Sequence, residues 1–272
     1  MKPNQPIQSP QNQRFKQAMR LHRSRGRKQQ NRIIIFGMRE SVRAIDSGVE
    51  ILEWFVCPER MDESSAANLQ EKCESGGGQV FELAPPLFEK LQFGDRSEGV
   101  IAIADRPELS LESTTFRESG PILILEGLEN PGNVGAILRS ADGANAGGVV
   151  LVEPQTDVLH PNSIRTSMGS VFSLPIAISS NEQVKSWLNQ HSIETWVAAP
   201  DSDRELFQCR FESQVALVFG NEAKGVSEFW TNGEWSRFGI PMLGIADSLN
   251  VSVSVAICAY EALRQRLASQ RS

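Results

Sequence analysis

Arg139 is the side chain in this sequence that folding does least to explain. It lies in Asn130-Pro-Gly-Asn-Val-Gly-Ala-Ile-Leu-Arg-Ser-Ala141, where Val134, Ile137, Leu138 and Ala141 recur at helical spacing on one face. Glycines directly after an apolar run let the backbone turn sharply and let a ligand approach it closely. The helix start that follows offers free N–H groups to an anion. A tight strand-to-helix turn with Asn133 as N-cap accounts for Pro131, Gly132 and Asn133, but not for a guanidinium two turns further on. Dinucleotide binding is the obvious alternative chemistry. It fails in detail, because GxGxxG is absent and no acid follows a second strand at the expected place.

Two further segments carry polar groups at the ends of apolar runs. Leu217-Val-Phe-Gly-Asn-Glu-Ala-Lys-Gly-Val226 opens a strand into a glycine-containing turn that bears a carboxylate, Glu222. Ile240-Pro-Met-Leu-Gly-Ile-Ala-Asp-Ser-Leu-Asn-Val-Ser-Val-Ser-Val255 reads as a short strand, a polar turn with Ser248 and Asn250, and a helix that Ser248 caps.

The elements that must position these groups follow from periodicity. Strands are expected at 122–125, 149–152, 195–198, 215–219 and 239–242, and a final helix carries Val253, Ala256, Ile257, Tyr260, Leu263 and Leu267 along one stripe. Near-continuous apolar strands of this kind suit a parallel sheet covered on both faces. Upstream, strands at 33–35, 51–56, 80–83 and 99–104 alternate with helices at 40–47, 62–74 and 86–91, giving a small α/β domain. Residues 105–119 are polar and read as a linker.

The charge is divided unevenly. Residues 1–39 hold ten Lys or Arg and no acid, whereas the rest of the chain holds 17 cations against 33 acids. A +10 segment on a −16 body suggests a polyanion-binding tail, the alternative being a solubilising extension. Residues 1–13, rich in Gln, Asn and Pro, are expected to be disordered. Residues 14–28 are expected to become helical only on a partner. No apolar run spans a membrane, no secretory h-region is present, and four scattered cysteines with three histidines make neither a zinc site nor a disulfide framework. A cytoplasmic protein with reduced thiols and no bound metal is expected.

Taken together, in their order and spacing, NPGNVGAILRSA, FGNEAKGV and IPMLGIADSLNVSVSVA resemble the three signature motifs of the SpoU branch of the SPOUT methyltransferases, the TrmH-like family, over about residues 120–266. Residues 34–104 more loosely resemble the substrate-binding domain, akin to a ribosomal protein, that precedes the catalytic domain in many members. The resemblance implies S-adenosylmethionine-dependent 2′-O-methylation of a ribose in structured RNA, ribosomal RNA before transfer RNA. It implies a parallel α/β sheet whose C-terminal segment threads a deep trefoil knot. It assigns the cofactor to Gly220, Ile240 and Leu249, with Asn221, Met242 and Leu243 nearby, held largely through backbone groups. Arg139, Asn133, Glu222, Ser248 and Asn250 are expected around the reacting ribose. Arginine is always protonated, so Arg139 is expected to bind the adjacent phosphate and stabilise the developing alkoxide. The family also includes homodimers in which both subunits build one site. The stripe 253–267 would serve such an interface or be buried within one subunit. One departure is Asn221-Glu222-Ala223-Lys224, where many relatives carry a shorter Gly/Glu-rich form. The expected organisation is a basic arm at 1–33, an RNA-binding domain at 34–104, a linker at 105–119 and a catalytic domain at 120–272. The competing expectations are a non-catalytic RNA-binding or ribosome-assembly factor on the same fold and, far behind, a nicotinamide-dependent oxidoreductase.

Overall fold

A computed structural model describes residues 6–94, 98–211 and 214–270, with backbone only at 74–76. The chain divides into two compact units. Unit 1 comprises residues up to Pro107 together with Leu159–Ser173, and unit 2 comprises Glu108–Val158 and Leu174–Ser272.

Unit 1 is built on a four-stranded mixed sheet of β1 (Arg32–Phe36), β2 (Ile51–Val56), β3 (Gln79–Glu82) and β4 (Val100–Asp105), in the order β1-β4-β2-β3. Its helices are α1 (Gln13–Arg20), α2 (Ser24–Gln30), α3 (Met38–Asp46), α4 (Glu63–Gly76) and α5 (Pro85–Leu91), with α7 (Pro161–Thr166) and α8 (Ser170–Ser173) from the later segment. Residues 13–30 are therefore not a disordered arm. Asn12 caps α1 through Arg14 and Phe15 N–H, and Phe15, Ala18 and Leu21 insert into the core with Ile34, Phe55, Leu83 and Phe88. Arg27 is fully buried, its Nη1 donating to the Leu21 and His22 carbonyls at 2.8 and 3.1 Å. Gly26 makes the approach of the two helices possible, since a Cβ there would lie 1.9 Å from the Arg20 carbonyl oxygen. Upstream, Ile7 pairs with the end of β3, its N–H donating to Glu82 O at 2.8 Å. The expectation of disorder thus fails from residue 6 onward, because three apolar side chains suffice to dock a sparse helix on a preformed core. Residues 1–5 lie outside the described residues.

Unit 2 is a six-stranded, wholly parallel sheet in the order β10-β8-β9-β5-β6-β7. Its elements are β5 (Ile122–Glu126), α6 (Pro131–Gly143), β6 (Gly148–Val152), β7 (Ile176–Ser179), α9 (Asn181–Gln190), β8 (Glu194–Ala198), β9 (Val215–Phe219), α10 (Glu228–Thr231), β10 (Ser236–Phe238) and α11 (Val251–Ser269). Every residue of β5, β6 and β9 is buried, as a sheet covered on both faces requires. The strand expected at 239–242 ends earlier, and Gly239 contributes only an isolated bridge to Glu205. The expected linker is also revised. Leu111 is buried, Phe116 packs on the core, and Ile178 N–H donates to Leu109 O at 2.7 Å, so residues 108–119 are fastened to unit 2.

Helix α11 packs on α6. Its buried face is Val251, Val255, Cys258, Ala259 and Ala262, not the stripe read from the sequence. Val253, Tyr260 and Leu267 of that stripe stay exposed.

Candidate active site

In unit 2 the strand order reverses at β5. The chain runs outward through β6 and β7, then returns on the other side with β9 against β5. In such sheets the crevice beyond the carboxyl ends of the two strands at the switch point takes the ligand. The register sets Leu125 beside Phe219, so residues 127–130 and 220–226 leave the sheet from neighbouring strands.

The turn into α6 is capped by Asn130, whose Oδ1 accepts from Gly132 N–H at 2.8 Å, with Pro131 at the first helical position. Asn133 is not the cap. Its Nδ2 donates to Glu222 Oε1 at 2.7 Å and its Oδ1 accepts from Asn250 Nδ2 at 3.3 Å. Nor does Ser248 cap the last helix. Asn250 does so, its Oδ1 accepting from Ser252 N–H at 2.9 Å and from the Ser252 hydroxyl at 2.6 Å. That cap fixes which end of the Asn250 amide faces Asn133, and hence which end of Asn133 faces the carboxylate. One residue from each of the three motifs is joined in a single chain of hydrogen bonds.

The other two predicted ribose-side residues stand outside this chain. Arg139 is exposed and makes no hydrogen bond or ion pair with a described residue. It follows Asn133 by about 9 Å along the helix axis and about 120° around it. Ser248 is exposed in the loop before α11.

The second motif folds back on itself. Asn221 and Gly225 exchange two backbone hydrogen bonds of 2.9 Å, and a Cβ at Gly220 would lie 2.1 Å from the Gly225 carbonyl. Only glycine permits that closure. Asn221 Oδ1 accepts from Ala223 and Lys224 N–H, while Nδ2 donates to Gly127 O at 2.9 Å and Glu129 Oε1 at 3.2 Å. All its polar groups are engaged, so Asn221 shapes the loop and ties it to the first motif. In the third motif, residues 240–249 exchange no backbone–backbone hydrogen bond with a described residue. Ile240, Met242 and Leu249 are half-buried there, and Leu243 and Ile245 are 99% and 104% exposed. Unpaired backbone groups and bare apolar side chains in one loop are what a nucleoside-sized ligand held by main chain requires.

A second polar network went unread in the sequence. Glu126 ends β5 and is 7% exposed. Its carboxylate accepts from Ser227 N–H at 2.8 Å, from the Ser227 hydroxyl at 2.6 Å and from Asn181 Nδ2 at 3.1 Å, and Trp230 Nε1 donates on to Asn181 Oδ1 at 2.6 Å. It anchors the chain just beyond the second motif. The one available signal was an acid closing an all-apolar strand. Unit 1 holds a cavity of about 370 Å³, counting its open mouth, lined by Phe36, Glu40, Phe93, Glu98 and Arg165, and none of the predicted site residues lines it. Among the described residues, no cluster of three His, Cys, Asp or Glu could hold a metal ion, and no helix is long and apolar enough to cross a membrane.

The chain is similar to known proteins in sequence and in fold. The family model for the SpoU rRNA Methylase family matches residues 120–260, and that for the MRM3-like substrate binding domain matches residues 12–102. The 23S rRNA (uridine(2479)-2′-O)-methyltransferase of Streptomyces viridochromogenes is 32% identical over 197 residues, covering 69% of this chain and 68% of its own length. The 23S rRNA (guanosine-2′-O-)-methyltransferase RlmB of Bordetella pertussis is 30% identical over 222 residues, covering 79% and 90%. Among solved structures, an RNA 2′-O ribose methyltransferase matches with TM-score 0.84 at 35% identity, covering 96% of this chain and 99% of its own. The SpoU methyltransferase AviRb from Streptomyces viridochromogenes, in complex with AdoMet, matches with TM-score 0.85 at 27% identity over 94% and 99%.

Proposed function

The chain belongs to the SpoU rRNA Methylase family, and on that premise we propose that it methylates the 2′-hydroxyl of a ribose in ribosomal RNA. It is an RNA 2′-O-methyltransferase whose cofactor is S-adenosylmethionine. The observation that carries the mechanism is the chain Glu222–Asn133–Asn250, which draws all three motifs to the crevice beside β5 and β9.

Gly220, Ile240, Met242, Leu243 and Leu249 hold the cofactor, with Asn221 shaping the loop. When bound, S-adenosylmethionine supplies an activated methyl group on a sulfonium. The protein's own work is to present the ribose. Asn133 and Asn250 are locked amides that fix the acceptor nucleotide, and fixing two reactants in line accounts for much of the acceleration. Within the trio only Glu222 bears a carboxylate, and its Oε2 is left unused by Asn133. We assign the 2′-hydroxyl proton to that oxygen. Arg139, permanently charged and unpaired by described residues, binds the adjacent phosphate and stabilises the developing alkoxide, with Ser248 on the loop opposite.

The exposed face Val253, Tyr260 and Leu267 on α11 supports a homodimer, in which a second copy completes the site. Sedimentation of a dilute monomer with full activity would remove that reading. We also infer that residues 239–250, passing between β10 and α11, thread the family's knot. A ribosomal substrate implies work in the cytoplasm. The decisive experiment incubates the protein with labelled S-adenosylmethionine and transcribed ribosomal RNA, then maps the product. A single 2′-O-methylated nucleotide is expected. Label on transfer RNA alone would change the substrate, and cofactor binding without transfer to any RNA would leave a non-catalytic RNA-binding factor.

A further inference from the structure

The mechanism leaves one strongly charged surface of unit 1 without a task. Some cations of residues 1–39 are used inside the fold. Arg14 pairs with Glu53 at 2.5 Å and stands 4.4 Å over the Phe81 ring, Arg27 is buried on two carbonyls, and Arg39 holds Glu40 at 2.6 Å. Five others, Lys16, Arg20, Arg23, Arg25 and Lys28, lie exposed on α1, α2 and the turn between them. None of the five meets a carboxylate among the described residues.

This arrangement opposes helix electrostatics. Lys16 and Arg20 are like charges at i and i+4 on α1, and Arg25 and Lys28 are at i and i+3 on α2. Neither helix has an acid in its first turn. Helix α2 instead begins with Arg23 at the N-cap, making no capping bond, and Arg25 within its first turn, which sets positive charge at the positive end of the dipole. Solubilising surfaces intersperse both signs. A surface that breaks several local rules without compensation inside the protein points to a compensating partner. That partner is a polyanion. The rest of the chain carries −16 and repels RNA, so affinity for RNA has to be concentrated on a local basic face.

We propose that the α1–α2 face of unit 1 binds the sugar–phosphate backbone of the RNA substrate through Lys16, Arg20, Arg23, Arg25 and Lys28. The proposal rests on the methyltransferase reading and deepens it. Contacts of this class fix register and supply affinity but carry no sequence information, so this face does not choose the nucleotide.

The test uses the full chain with all five residues changed to Gln, a substitution of similar helix propensity at exposed positions. Thermal unfolding checks that the fold survives. Binding of a transcribed ribosomal RNA fragment is then titrated from 50 to 200 mM salt. If all five residues touch phosphate, the slope of log affinity against log salt becomes shallower by about 3.5–4.5, while turnover at saturating RNA is retained. Should the quintuple variant unfold, Arg20→Gln with Arg23→Gln should flatten the slope by about 1.4–1.8. Equal slopes in variant and parent, with methylation intact, overturn the face and leave the enzyme standing. Equal RNA slopes with lost binding to anionic lipid vesicles overturn it in favour of a membrane. A parent protein that neither binds nor methylates RNA overturns the methyltransferase reading as well.

Discussion

At the scale of single residues, roles divide between three side chains locked by hydrogen bonds and two, Arg139 and Ser248, that stand outside them. Arg139→Ala is expected to lower methyl transfer by about 10²-fold or more, comparable to losing one oxyanion-hole donor, with cofactor affinity unchanged. Single-turnover rates beside calorimetric titration separate the two, and parent-like turnover would remove Arg139 from the mechanism. Glu222→Gln keeps an oxygen for Asn133 but cannot take a proton. Its turnover should fall by about 10²–10⁴-fold, and a variant that works at the parent's rate would show that the proton leaves to solvent. Asn133, Glu222 and Asn250, one from each motif, are joined by hydrogen bonds in the fold. Those partners were not legible in the sequence. Proline at the first helical position makes the preceding residue the cap, which gives that task to Asn130 and frees Asn133 for the site. In unit 1, burial, with the charge of Arg27 adding to it, holds His22 below its ordinary 6.5 against the opposing Leu91 carbonyl contact. The folded chain therefore binds this proton more weakly than the unfolded one. Stability should be full above pH 6.5 and fall on acidification through the lowered folded value. His22→Gln should flatten a plot of Tm against pH in that window, and an unchanged plot would assign the loss to other groups.

At the scale of elements, α1 and α2 show how a charged segment can be both surface and scaffold. Deleting residues 1–30 removes Phe15, Ala18 and Leu21 from the core, so it should unfold unit 1 rather than trim an arm. Phe15→Ala alone should cost about 3–5 kcal/mol. Chemical denaturation measures both, and a truncated chain of parental stability would return these helices to the status of an appendage. The sequence understated them because three buried apolar residues among seven charges make a weak periodic signal. Their docking surface is assembled from the adjacent β1 and from β2, α5 and β4, which lie far along the chain. Elsewhere a signal was present and unused. Ser180 and Gln183 form a reciprocal capping box at the start of α9, the S-x-x-Q pattern that announces a helix. On α11 periodicity pointed to the stripe of Val253, Tyr260 and Leu267, whereas the buried face is that of Val251, Val255, Cys258 and Ala262, which the serines between them disguise.

At the scale of the whole molecule, domain boundaries were the least legible feature. Composition marks a polar stretch at 105–119, but composition does not say which neighbour a segment packs against. Residues 108–119 pack on unit 2, while Leu159–Ser173, drawn from the connection between β6 and β7, belong to unit 1. There Arg43 Nη1 donates to Met168 O at 2.5 Å, Arg165 stands 5.7 Å over Phe93, and Ile164 and Val171 are buried. A fragment of residues 1–107 should thus be incomplete. A synthetic peptide of residues 159–173 should raise its melting temperature by mass action. No shift at high peptide concentration would mean that the first 107 residues are self-sufficient.

The discontinuity sets a timetable on the ribosome that makes the protein. Residues 1–107 emerge early, yet unit 1 waits for residue 173 before it can close. At about 5–20 residues per second that wait lasts roughly 3–13 s, during which the basic helices are present on an unfinished body. A nascent chain halted in that interval would carry positive charge beside the RNA of its own ribosome and no completed methylation site. Synthesis order alone therefore withholds a finished substrate-binding unit until β5, α6 and β6 have been made.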